Sequence, residues 1–421
     1  MFQLPVLILQ AGVILALARG VGWLFRRFNQ PQVIGEMLAG IMLGPSLLGW
    51  LAPNLSAALF PKESLDFVNA LSQVGVLLFM FLVGLELNPY VLRGQGKAAL
   101  ITSWSSIATP FLLGILLALF LFPRLPMGSM GFTPFALFIG TSMSITAFPV
   151  LARILTERNL LRTNVGNVTL ACAAVDDVSA WLILAVVVVL VRAGHSGLPI
   201  WVTVFGSLAF VGVMVFGVRL ALRRFELIYQ QHRRISQDLL AVILLLVFAS
   251  AWITERLGIH ALFGAFIVGA IMPKEQRFVH ALTEKLEDVA VVLLLPLFFA
   301  FNGLRASVGL VSGVHMWLYC ALIIATAITG KFAGSAIAAR LNGLSWREAS
   351  ALGILMNTRG LVELVILNIG LDLHVITPTV FTMMVLMALV TTFMTSPLLE
   401  WIYITPLNRE RAANAAPEGA A

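Results

Sequence analysis

Two adjacent aspartates, Asp176 and Asp177, stand in "TNVGNVTLACAAVDDVSAWLILAVVVVLVR", residues 163–192, with no other acid or base before Arg192. As a helix, residues 164–191 would rise about 42 Å, more than the roughly 30 Å hydrocarbon core of a bilayer. Both carboxylates then lie near the midplane, where a charged side chain costs at least about 2.5–3.5 kcal/mol. Two other stretches place polar groups at comparable depth. In "GTSMSITAFPVLARIL" (140–155), Ser144 and Thr146 belong to a cluster of hydroxyls ahead of Pro149. Proline removes a helical hydrogen bond, and hydroxyls can satisfy the backbone groups it frees or supply oxygen ligands beside Asp177. In "LGILMNTRGLVELVIL" (352–367), Asn357, Thr358, Arg359 and Gly360 together are incompatible with a continuous lipid-facing helix. Both segments are expected to be interrupted helices.

The charges of the inner spans can be counted. Arg359 and Glu363 are four apart and neutralise each other if the helix resumes between them. Two acids and one base, Lys331, remain. If one acid pairs with the lysine, the other is an uncompensated carboxylate in a region of low dielectric. Such a group holds a proton or a small cation, but not readily both. A carrier whose empty form is charged and whose loaded form is neutral crosses the hydrocarbon barrier only when loaded.

The elements that must position these residues follow from composition. Of 421 residues, 60% are hydrophobic and 11% charged, and the mean hydropathy is +0.97. A soluble chain carries about 25% charged residues. The chain reads as an all-α polytopic membrane protein. The net charge of +7 is assigned to loops and not to a nucleic-acid partner. Apolar length and loop punctuation predict about thirteen spans: 5–25, 32–50, 69–87, 97–122, 132–157, 164–191, 200–222, 237–257, 259–273, 288–304, 315–340, 347–370 and 376–403. With the amino terminus outside, 18 Lys/Arg fall on the cytoplasmic side and 5 on the other, which predicts a cytoplasmic carboxyl terminus. The expected organisation is a first repeat over 5–192, a linker helix at 200–222, a second repeat over 237–403 and a short tail at 405–421.

The chain resembles itself. "QPQVIGEMLAGIMLGP" (30–45) echoes "GIHALFGAFIVGAIMP" (258–273), and "LSQVGVLLFMFLVGLEL" (71–87) echoes "LEDVAVVLLLPLFFAFNGL" (286–304). Each pair occupies the second and third places of a six-span unit, with the seventh span between the units. The two six-helix repeats are therefore inverted, a pattern of secondary transporters. The interrupted helices at the fifth place of each unit should cross beside Asp176 and Asp177.

Other polar residues are assigned plainer roles. Glu36 is read as a helix contact or a second membrane acid, Glu86 as a solvated helix end, and His260 as a partner for the backbone. Arg153 is expected to snorkel to the surface. Cys172 and Cys320 read as small buried residues. No nucleophile, metal cluster or phosphate-binding loop occurs in the short loops, so neither an enzyme, a cofactor nor a resident metal is expected.

The motifs "SITAFPVLARIL", "VDD", "GK" at 330–331 and "MNTRGLVELVILNIG" resemble the second branch of the monovalent cation:proton antiporter family, and above all its plant-type cation/proton exchangers and their bacterial relatives. The resemblance covers nearly the whole chain. It implies a thirteen-helix homodimer with a dimerisation domain and a six-helix core, working by an elevator-like movement. It also implies that Asp177 carries the cation and proton while Asp176 pairs with Lys331. The substrates would be Na⁺ or K⁺ and H⁺, and the setting a bacterial inner membrane. The glutathione-gated members of the family carry a nucleotide-binding domain after the membrane part, and nothing of that size follows Tyr403 in this sequence. The competing readings are a cation channel or efflux pathway and a sodium-coupled organic anion symporter.

Overall fold

A computed structural model describes residues 4–28, 30–86, 91–125, 131–161, 163–192, 200–222, 225, 235–258 and 260–407. Residues 408–421 of the expected tail lie outside the described residues, as do Arg162, Arg223, Arg224, Arg233, Arg234, Arg409 and Arg411 of the charge count.

Helices make up all the regular structure of the described residues. The longer α-helices are α1 (Leu4–Arg27), α2 (Gln32–Leu43), α3 (Lys62–Glu86), α4 (Val91–Leu121), α5 (Phe132–Ser144), α6 (Phe148–Glu157), α7 (Asn164–Arg192) and α8 (Ile200–Gly212). There follow α9 (Gln237–Arg256), α10 (Ala261–Ile271), α11 (Gln276–Glu287), α12 (Leu295–Arg305), α13 (Gly313–Leu341), α14 (Trp346–Met356), α15 (Leu361–Asp372) and α16 (Pro378–Leu399). A π-helical stretch, Asp288–Leu294, joins α11 to α12, so that the two run as one long span. Local sequence sets several starts. Ser345 and Glu348 form a reciprocal capping box at α14, and the Thr377 hydroxyl accepts from Val380 N ahead of Pro378, the first residue of α16. His260 opens α10 by accepting from Leu262 N, in keeping with the backbone role read for it.

Among the described residues, eleven helical runs are long and apolar enough to cross a membrane, and twelve if the bent pair α14 and α15 counts as one. The expected span at 259–273 corresponds to α10, whose 11 residues rise too little to meet that test. The chain is an integral, multi-pass membrane protein.

The chain divides into two compact units. The first comprises Met1–Val21, Glu36–Tyr90 and Trp181–Ser307. Its interior is closed by glycines: a Cβ on Gly84 would overlap the Phe266 carbonyl, and one on Gly269 would overlap that of Phe81, so α3 and α10 touch backbone to backbone. Gly40 meets the Phe299 carbonyl and Gly303 meets Gly40, bringing α2 against α12 in the same way. Glu36 is buried and lies 4.0 Å from the Arg19 guanidinium, while Glu86 is exposed as a helix end should be.

The second unit comprises Gly22–Gly35, Val91–Ala180 and Val308–Ala421. It contains α4, α5, α6, the first half of α7 and α13 to α16, and therefore every residue singled out above for chemistry. Gly330 and Gly334 bring α13 close to α4, where a Cβ on Gly334 would sit 2.7 Å from the Ser105 carbonyl. That approach seats the intervening Lys331 inside the unit, fully buried. Cys172 and Cys320 are both buried, and neither is in a disulfide. Arg153 is half-exposed and pairs with Glu157 at 2.9 Å.

Candidate functional site

The two interruptions are real and they meet. Helix α5 ends at Ser144 and α6 begins at Phe148, with Ile145 and Ala147 in extended conformation. Pro149 lies in the first turn of α6, where its missing N–H needs no partner. Helix α14 ends at Met356 and α15 begins at Leu361, the two axes differing by 44°. The broken strands of chain hydrogen-bond to each other: Ala147 N donates to Thr358 O at 2.9 Å, and the Thr146 hydroxyl lies 3.0 Å from Met356 O. A crossing of half-helices leaves two carboxyl-terminal and two amino-terminal ends inside the unit, each with unsatisfied backbone groups.

Two buried cations cap the carboxyl-terminal end of α5. Arg359 donates to Ser142 O and Met143 O, each at 2.6 Å, and Lys331 Nζ donates to Ser144 O at 2.5 Å. Positive groups belong at the negative end of a helix. The end of α14 is closed by hydroxyls, with Thr358 donating to Leu355 O at 2.6 Å. Arg359 also pairs with Glu363 at 3.0 Å, and the Ser142 hydroxyl donates to the other oxygen of that carboxylate. The Arg359 backbone is held by Thr392 of α16, whose hydroxyl accepts from Arg359 N at 2.9 Å and lies 2.7 Å from Arg359 O.

The aspartate pair sits beside this crossing, and its two members are treated in opposite ways. Both are fully buried. Asp176 forms an ion pair with Lys331 at 2.7 Å through Oδ2. The Ser103 hydroxyl donates to Oδ1 at 2.5 Å, while the hydroxyls of Ser106 (2.7 Å) and Thr146 (3.1 Å) face Oδ2. Lys331 completes its three donors with Ser144 O and, at 3.1 Å, Ser106 O. Neither oxygen of Asp177 has a hydrogen-bond partner among the described residues. Adjacent positions on a helix point about 100° apart, which is how neighbours in sequence reach such different surroundings. One carboxylate is fixed by an ammonium and hydroxyls, and the other is bare.

Several expectations are refined by these distances. Thr146 faces Asp176 and not Asp177, and the Ser144 hydroxyl lies 3.0 Å from Ile107 O and 2.8 Å from Gly140 O. Ser144 instead contributes its carbonyl, to Lys331. Thr358 closes a helix end, whereas Asn357 Oδ1 is buried with no partner among the described residues. Ser103, Ser106 and Thr392 were not singled out from the sequence. Isolated hydroxyls in apolar spans are common, and their partners here lie 73, 70 and 33 residues away. The run "TSWSS" (102–106) was the available signal. No group of three or more His, Cys, Asp or Glu suited to a metal occurs among the described residues.

Broken helices crossed around a buried, partly compensated carboxylate pair define the class: a secondary transporter of monovalent ions. The family model for the transmembrane part of sodium/hydrogen exchangers matches residues 13–402, and the chain belongs to that family. Its members are transporters and not enzymes. The Na(+)/H(+) antiporter NhaS4 of Synechocystis is 48% identical over 402 residues, covering 94% of this chain and 96% of that protein. Cation/H(+) antiporter 17 of Arabidopsis thaliana is 42% identical over 401 residues; the match takes in 95% of this chain but 48% of the plant protein, so the chain spans about half its length. Among solved structures, the sodium proton antiporter MjNhaP1 from Methanocaldococcus jannaschii has the same fold, with a TM-score of 0.66 over 93% of this chain and 94% of that one at 16% identity.

Proposed function

We propose that this protein is a secondary active antiporter that exchanges a monovalent cation, Na⁺ or K⁺, for protons through its buried aspartate pair. The carrying observation is the inequality of the pair: Asp176 is engaged by Lys331 and Ser103, while Asp177 is buried with neither oxygen hydrogen-bonded among the described residues. A buried carboxylate without donors is costly as an anion, so it is driven to take up a proton or a cation. Occupied by either, it is neutral. Empty, it is charged and held back by the hydrocarbon barrier. Competition for one carboxylate, joined to this barrier, is sufficient for obligatory exchange. That NhaS4 is a Na(+)/H(+) antiporter and the plant relative a cation/H(+) antiporter supports the same reading.

Further parts of the proposal rest on separate supports. The 18 to 5 distribution of cationic residues supports an amino terminus outside and a carboxyl terminus in the cytoplasm, and the cyanobacterial relative supports a bacterial inner membrane. The crosswise glycine contacts, Gly269 of α10 against α3 and Gly40 of α2 against α12, support the inverted repeats, because each joins the second place of one repeat to the third place of the other. A homodimer with an elevator-like core is the arrangement the sequence resemblance implies. The organic anion symporter is disfavoured by the use of the buried cations: Lys331 and Arg359 are both committed to carboxylates and main-chain carbonyls. The test is purified protein in proteoliposomes holding a preset pH gradient, with Na⁺, Li⁺, K⁺ or Rb⁺ added outside. Proton movement on cation addition is expected; cation flux without proton movement would favour the channel.

A further inference from the structure

Asp176 presents its two oxygens to different partners. Oδ2 is served by the Lys331 ammonium at 2.7 Å and is faced by the hydroxyls of Ser106 and Thr146. A hydroxyl carries one proton, and each of these two stands within hydrogen-bond distance of a second acceptor, Ser103 O at 2.9 Å for Ser106 and Met356 O at 3.0 Å for Thr146. Oδ1 has a single donor among the described residues, the Ser103 hydroxyl at 2.5 Å. Ser103 is fully buried on α4. Its proton goes to a charged acceptor, the stronger kind of hydrogen bond.

We infer that Ser103 is a positioning residue for cation exchange: it occupies the free oxygen of Asp176, so that Asp177 alone meets the cation. This rests on the exchange reading given above. Lys331 alone leaves Oδ1 open, and the carboxylate can then turn about its χ2 bond, a broad torsion with little barrier of its own. An open Oδ1 one residue from Asp177 adds a third uncommitted carboxylate oxygen near the transported ion. A cation shared by two carboxylates is held more tightly and released more slowly. Ser103 prevents that by hydrogen bonding, without adding or removing charge. Ser106 has no such duty, because Oδ2 keeps Lys331 if the Ser106 hydroxyl is lost.

The test compares Ser103→Ala with Ser72→Ala, an equal volume loss at a buried position of α3 whose hydroxyl donates to Asn69 O of its own helix, with Ser103→Cys as a graded variant that keeps the size and weakens the donor. Cation-dependent proton movement is measured in proteoliposomes against cation concentration, with melting temperature as the check on folding. Ser103→Ala is expected to lower the cation KM and the turnover together, each roughly tenfold, the scale of one hydrogen bond to a charged group. Ser103→Cys should fall between it and the unaltered protein, and Ser72→Ala should leave KM within about twofold, well inside that scale. If Ser103→Ala does not fold, Ser103→Cys decides by the same shift in KM. An unchanged KM in the folded Ser103 variants, or equal shifts from Ser103→Ala and Ser72→Ala, would overturn the inference and leave antiport intact. Absence of coupled proton movement in the unaltered protein would instead overturn the exchange reading itself.

Discussion

At the scale of the residue, sequence and structure divide the problem between them. That Asp176, Asp177 and Lys331 are the charged groups of the inner spans left over once Arg359 and Glu363 are paired follows from their isolation in apolar runs, since such charges are too costly to keep without a use. Which aspartate pairs with the lysine is not contained in their spacing. It depends on where α4 and α13 sit around α7, and those contacts join residues 73, 70 and 155 apart. The pair makes a definite prediction. Lys331→Ala or Asp176→Asn leaves one buried charge without its partner, at a typical cost of about 3–5 kcal/mol, whereas removing both charges costs less. Melting temperatures of the purified single and double variants should show recovery of part of the loss in the double. Strictly additive losses would mean that the 2.7 Å contact is not an energetic pair.

At the scale of the element, interruptions are legible where residue types conflict with a continuous helix. Hydroxyls before Pro149, and Asn357 to Gly360 in an apolar run, announced both breaks. The capping of α5 by Arg359 was not legible, because the sequence offers Glu363 as a sufficient local partner and the carbonyls of Ser142 and Met143 are 217 and 216 residues away. A comparable device in the first unit carries a pH signature. Lys274, in the turn between α10 and α11, donates to Gly84 O and Leu85 O at 2.9 Å and to Gly269 O at 3.0 Å, closing the carboxyl-terminal ends of α3 and α10 together. Burial, with Arg219 adding to it and Glu86 opposing, lowers the Lys274 ammonium from 10.5 to about 7. Between those values the unfolded chain binds more protons than the folded one, so this group's contribution raises stability as pH increases from about 7 toward 10.5. Below about 7 its contribution is flat. The melting temperature of the unaltered protein minus that of Lys274→Met should therefore rise from pH 7 to pH 10. A difference that falls over this range would contradict the assignment.

For the whole molecule, the internal echoes 30–45 with 258–273 and 71–87 with 286–304 carried more information than any single span, because they indicated which helices should be equivalent. Span counting by length was less secure at α10, whose 11 residues are apolar but short. The sequence did not show where one unit gives way to the other, since three of the changes fall inside α1, α2 and α7, with no loop to mark them. If the repeats are equivalent, their glycine contacts should be equally intolerant. Gly40→Ala, in the second place of the first repeat, and Gly269→Ala, in the second place of the second, each force a methyl into a backbone carbonyl and should each lower thermal stability, on the order of 1–3 kcal/mol as overpacking does. Gly12→Ala meets open space and serves as the control. Loss of stability in only one of the two repeat variants would count against equivalent packing.

In the proposed exchange one carboxylate, Asp177, carries both ions. Asparagine is close in size, neutral, and unable to release a proton or attract a cation by charge. Purified Asp177→Asn protein, shown to be folded by its melting curve, is reconstituted beside the unaltered protein, and cation-driven proton movement is followed at several pH values from about 6 to 9, the range in which a buried carboxylate can work. Robust exchange is expected from the unaltered protein and none from the variant at any pH. Substantial exchange by Asp177→Asn at any pH in that range would contradict it.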